Sequence, residues 1–179
     1  MKRLLLAVLA LAGAALVGLG YPSGPGHAAP ALPRPAPGHF AGKFELVPLF
    51  DKGKPVIRNG HSYYAARNDV QFTTAAGDTV TFHAGQRTDL ASIPQAVWWL
   101  MPPDGPWAEA ALPHDACYRT RGDFSWYGHP GRTRATPYVR AECDEILRQG
   151  MVALGVPAWK RVTIYEAVRI GGGGKGWGS

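Results

Sequence analysis

The chain predicts an α+β fold, a small antiparallel sheet followed by about three to four helices, two of them antiparallel and disulfide-linked. Three observations carry this expectation. Short stretches between residues 44 and 82 alternate apolar with polar positions, the period of a half-buried strand. From about residue 96 onward, apolar positions recur at helical spacing instead. The two cysteines, Cys117 and Cys143, each fall on a predicted helix.

Taken in order, Phe44-Glu45-Leu46-Val47-Pro48-Leu49-Phe50 alternates, and Asp51-Lys52-Gly53-Lys54-Pro55 turns the chain. Tyr63 and Tyr64 mark a further short strand. Val70-Gln71-Phe72-Thr73 and Thr79-Val80-Thr81-Phe82 flank Ala75-Ala76-Gly77-Asp78, the pattern of a hairpin. Thr88-Asp89-Leu90-Ala91-Ser92-Ile93-Pro94 reads as a tight turn, and Ala96-Val97-Trp98-Trp99-Leu100 as a short apolar helix halted by Pro102-Pro103-Asp104-Gly105-Pro106. Asp104 is suited to cap a helix through Trp107 and Ala111, with Pro106 near its first turn. Pro113 lacks an N–H, so that helix is expected to kink there and continue to about Tyr118. Thr136-Pro137 signals the start of a second helix, with Val139, Cys143, Ile146, Leu147 and Leu154 at apolar spacing. Gly155-Val156-Pro157 ends it. Residues 159–170 predict a third helix with Val162, Tyr165 and Ile170 on one side.

Around this domain, expected at residues 40–170, the composition changes. Met1-Lys2-Arg3 precedes an apolar run at residues 4–19, too short for a membrane span of ~20 residues but suited to a signal peptide. Residues 1–20 are therefore expected to be a signal peptide or a retained N-terminal anchor, and the protein to be exported, periplasmic or secreted. Residues 21–39, rich in proline, glycine and alanine, read as a linker, and the glycine-rich 171–179 as a disordered tail. Export favours a Cys117–Cys143 disulfide, closing a loop of about 27 residues worth roughly 3.5 kcal/mol in chain entropy. The net charge of +6 becomes +4 if Lys2 and Arg3 leave with the signal. That excess suits anionic lipid or cell-envelope polymer as partner. Nucleic acid is not expected, since export argues against it and no known reading module is present. A monomer is expected.

The chemistry concentrates in His114-Asp115-Ala116-Cys117-Tyr118 and Cys143-Asp144. On a helix His114 and Tyr118, four apart, share a face. A crosslink between the cysteines would draw Asp144 towards His114 or Tyr118. A neutral histidine held by a carboxylate can take a proton from water, and Asp115, on a neighbouring face, offers a hard ligand to a divalent cation.

This pattern, over about 35 residues, resembles the secreted phospholipase A2 superfamily. The resemblance implies His114 as base, Asp144 as its orienter, Tyr118 as support, Asp115 as a calcium ligand and Cys117–Cys143 as the crosslink. No glycine-rich calcium loop precedes His114, and Asp89, in its tight turn, becomes a candidate for the missing ligand. A second resemblance spans about residues 40–170. Arg87-Thr88-Asp89-Leu90-Ala91-Ser92-Ile93-Pro94, Pro102-Pro103-Asp104-Gly105, His114-Asp115, Asp144 and Leu154-Gly155-Val156-Pro157-Ala158-Trp159-Lys160-Arg161 are similar to the bacterial and phage family DUF1353, of unknown function. The expected activity is hydrolysis by water activated at a His114/Asp144 dyad, with phospholipid ester favoured. The alternatives are a metal-dependent cell-wall hydrolase using Asp89, His114 and Asp144, and a non-enzymatic phage-derived structural or binding module.

Overall fold

The computed structural model describes residues 38–58, 61–90, 105–171 and 177. The expected signal segment, the linker up to residue 37, Ser92, the apolar helix at residues 96–100 and the cap at Asp104 lie outside the described residues. Among the described residues, ten short strands precede three helices. The strands are β1 (His39–Ala41), β2 (Leu46–Pro48), β3 (Phe50–Asp51), β4 (Lys54–Pro55), β5 (Ile57–Arg58), β6 (His61–Ser62), β7 (Tyr64–Ala66), β8 (Val70–Thr73), β9 (Thr79–Phe82) and β10 (Arg87–Thr88). The helices are α1 (Ala108–Arg119), α2 (Arg140–Ala153) and α3 (Ala158–Gly171). No helix among the described residues is long and apolar enough to cross a membrane.

The antiparallel strands divide into two three-stranded sheets, ordered β1-β8-β9 and β2-β7-β10, and two two-stranded ribbons, β3-β4 and β5-β6. The β8–β9 hairpin forms as expected, with Phe72 opposite Val80 and Val70 opposite Phe82. All four side chains are buried, so one face of this hairpin joins the core.

Helix α1 is the centre of the molecule. Every residue from Ala110 to Tyr118 is buried, and the helix packs against α2, β8 and β9. It runs through Pro113 and ends at Arg119. Its alanines let a neighbour approach closely: a methyl added to Gly150 of α2 would meet Ala110 Cβ at 2.9 Å and Phe40 Cζ at 3.2 Å. Cys117 is bonded to Cys143, with Cα atoms 5.8 Å apart. Cys117 meets Cys143, while Ala110 meets Gly150 about two turns along each helix in opposite senses. The two helices are therefore antiparallel.

Two expectations about the helices are corrected. Helix α2 begins at Arg140, not at Thr136-Pro137, with Val139 as its N-cap in an extended conformation. The cause is Glu142, whose carboxylate accepts the Val139 N–H at 2.8 Å and both Arg134 Nη atoms at 2.9 Å. Arg134 also donates to the Thr136 and Pro137 carbonyls, which holds that stretch as a loop. Val139 is consequently exposed rather than part of the apolar stripe. In α3 the buried residues are Ile164, Ala167 and Val168, at the i, i+3, i+4 spacing of one face. Val162 and Ile170 are exposed. The buried face is rotated from the expected one because the small Ala167, rather than Val162 or Ile170, sits where α3 packs.

Candidate active site

The crosslink and the close Ala110–Gly150 contact fix α1 against α2 so that His114, Tyr118 and Asp144 meet. Tyr118 donates its hydroxyl to Asp144 Oδ1 at 2.5 Å. His114 Nε2 lies 3.3 Å from the same oxygen, and the His114 and Tyr118 rings stack with centroids 4.3 Å apart. Asp144 is fully buried and His114 is 3% exposed. With Asp144 ionised, the contact places a hydrogen on Nε2 and leaves Nδ1 as the basic nitrogen.

The second oxygen of Asp144, Oδ2, has no hydrogen-bond partner among the described residues. Arg140, one turn earlier on α2, brings Nη1 to 4.0 Å from it. A buried carboxylate oxygen without a donor is costly in low dielectric.

The electrostatics follow from these contacts. Burial alone would lower the His114 pKa, but the neighbouring Asp115 and Asp144 carboxylates outweigh it and raise it above 6.5. Burial would raise the Asp144 pKa, yet His114, Tyr118 and Arg140 bring it below 3.8. Asp115 is lowered in the same way, by His114, Arg119 and Thr88 against its own burial. Tyr118 is raised, first by burial and then by Asp144, so it stays a donor. The sign of each shift sets a stability window. The carboxylates stabilise the fold above 3.8, an effect lost as pH falls through their lower folded values. His114 stabilises it fully below 6.5, an effect lost as pH rises through its higher folded value.

Asp115 sits beside the dyad with different partners. Its Oδ1 is 4.0 Å from His114 Nδ1, beyond direct hydrogen bonding. Its Oδ2 accepts the Thr88 hydroxyl at 2.5 Å and lies 3.6 Å from Arg119 Nη2. Thr88 Oγ1 in turn accepts the Leu90 N–H at 3.0 Å, fixing a turn in which Leu90 has φ 53°. Such a conformation is strained for a leucine and persists only where its surroundings impose it. Asp89 stands in this turn, half-buried.

A cation at Asp115 would compete with Thr88 and Arg119 for the same oxygen. Among the described residues no group of three or more His, Cys, Asp or Glu side chains is placed to hold a metal ion. These contacts fit a carboxylate anchored to protein. Thr88→Val should cost about 2 kcal/mol, the value of a buried hydrogen bond to a charged group. Urea unfolding would measure it.

Several members of the site were not expected from sequence. Thr88 lay inside a recognised motif but carried no visible partner. Arg140 was open to inference, being four residues before Asp144 on one helix face. Trp177, in the glycine-rich tail, packs edge-on against Tyr118 with centroids 5.3 Å apart. Elsewhere, His83 is 3.2 Å from Asp69 across the β8–β9 sheet end. The arginines of the 119–136 loop are largely engaged within the protein: Arg119 with Asp115, Arg132 with Asp123 and Arg134 with Glu142.

No curated protein and no solved structure matches the chain. Residues 64–168, which hold β7 to β10, α1, α2 and nearly all of α3, match a family described as a protein of unknown function. Every residue of the His114, Tyr118, Asp144 and Thr88–Asp115 network falls inside that match, and the chain belongs to the DUF1353 family.

Proposed function

We propose that the protein is an exported hydrolase in which His114, oriented by Asp144, activates water, with phospholipid ester as the favoured substrate class. The observation that supports this best is the convergence of His114 Nε2 and the Tyr118 hydroxyl on one oxygen of a fully buried Asp144. In the step, water attacks the ester carbonyl as His114 Nδ1 takes its proton. Collapse of the tetrahedral intermediate breaks the acyl–oxygen bond, and the imidazolium returns the proton to the leaving alkoxide. Asp144 holds the ring and stabilises the imidazolium, and Tyr118 steadies Asp144. His114 is 3% exposed, so substrate reaches Nδ1 only when the site opens, as closed hydrolytic sites do.

The burial supports a second reading, a non-enzymatic module in which the same residues tie α1 to α2. Against it stands Asp144 Oδ2, since a half-satisfied buried network is a poor structural device.

Fatty-acid release from mixed liposomes, run with calcium and with chelator, separates these readings. Release by the wild type and its loss in His114→Ala is the expected result, and a difference between the calcium and chelator arms would reinstate a cation at Asp115 or Asp89. No release in any arm, together with a marked fall in melting temperature for His114→Ala and Asp144→Ala, would favour the structural module. Digestion of cell-wall polymer in parallel tests the cell-envelope substrate.

A further inference from the structure

The β3–β4 ribbon presents apolar and cationic side chains together. Asp51 and Lys54 pair across a two-residue turn in which Lys52 has φ 49° and Gly53 φ 77°. Both central residues in the left-handed region make a tight, rigid hairpin tip. The tip stands clear of the rest of the protein: a methyl on Gly53 would meet nothing within 4 Å. The chain runs on into β5, tied back by the Val56 N–H to the Leu49 carbonyl at 2.8 Å.

Phe50 is 62% exposed and Ile57 61% exposed. They line one open cavity of about 650 Å³ together with Lys52, Lys54 and Arg87. Asp51 is the one acidic residue of that lining, so the groove is net cationic. Arg87 also connects the groove to the candidate active site. It precedes Thr88, the donor to Asp115, and its carbonyl accepts a hydrogen bond from Arg119.

From this juxtaposition we infer that the β3–β4 ribbon and its groove are the surface by which the protein docks on an anionic phospholipid bilayer. The cations meet the headgroup phosphates, while Phe50 and Ile57 enter the boundary between headgroups and acyl chains. Cationic residues alone would suit any polyanion. The two exposed apolar side chains favour a bilayer, where they leave water on binding. This inference rests on the lipid-hydrolase reading for its purpose and deepens it by naming where substrate would be met.

The test is partition of the full chain onto vesicles of phosphatidylcholine, with and without phosphatidylserine. All variants share the apolar segment at residues 4–19, so their ratios report on the groove. Lys52→Gln with Lys54→Gln should lower partition onto anionic vesicles about 25-fold at low salt, each cation contributing about fivefold. Phe50→Ser with Ile57→Ser should lower it by about tenfold with little salt dependence. A nitroxide on Phe50→Cys should become shielded from an aqueous relaxant on anionic vesicles but not on neutral ones. Unchanged partition in both double variants overturns the inference. So does a lysine effect shared equally between vesicles and a soluble anionic wall polymer, with the Phe50/Ile57 pair silent. His114→Ala keeps the groove and is carried through the same measurement. Absence of wild-type partition onto anionic vesicles, with hydrolysis of a soluble ester intact, would sink the docking surface alone. Partition without hydrolysis would sink the proposed activity alone.

Discussion

Asp144→Asn is expected to lower ester hydrolysis by about 10²-fold or more, and to move the rising limb of the pH–rate profile to lower pH. The first effect follows from losing the negative charge that steadies a developing imidazolium and selects its tautomer. The second follows from the forces on His114. Burial pushes its pKa down, and Asp115 and Asp144 together push it above 6.5. A general base works unprotonated, so the wild-type rate should rise with pH through that raised value. Removing one of the two raising carboxylates leaves burial less opposed, and the limb shifts down. The side chain of asparagine keeps an acceptor for the Tyr118 hydroxyl, so the helix pair should stay assembled. Initial rates between pH 5 and 9 would show both effects. An unshifted limb with a normal rate would mean that Asp144 does not act on the base.

The largest stability effect is expected from the crosslink. Cys117→Ser with Cys143→Ser should cost about 3.5 kcal/mol, the closure entropy of the loop between them in the unfolded chain. Both cysteines are fully buried between α1 and α2, so two unpaired hydroxyls would add to the cost. The site should suffer with the fold, since the crosslink lies one residue from Asp144 on α2 and one from Tyr118 on α1. Urea unfolding of the oxidised, reduced and doubly substituted chains would read the difference. Coincident curves for oxidised and reduced protein would contradict the account.

The fold class and the centre of the site were legible in the sequence for a local reason. His114 and Tyr118 are four residues apart on one helix, and Asp144 adjoins a cysteine, so helical geometry and one crosslink place all three. The hairpin of β8 and β9 was legible through its alternation and its Gly77 turn. What escaped the reading depends on contacts between distant segments. Thr88 meets Asp115 across the sheet-to-helix transition, and Trp177 returns from the tail to Tyr118. The start of α2 was misplaced because Arg134 and Glu142 override a local proline signal by clamping the preceding loop. The buried face of α3 depends on a small residue at a close approach, and hydrophobicity alone does not reveal that.

The central claim is that Asp144 controls the charge of His114. Its most direct measurement is the titration of the His114 imidazole by NMR in the wild type and in Asp144→Asn, which needs no substrate. The account predicts a wild-type pKa above 6.5 and a lower one in Asp144→Asn. A wild-type value at or below 6.5, or the same value in both proteins, would contradict it.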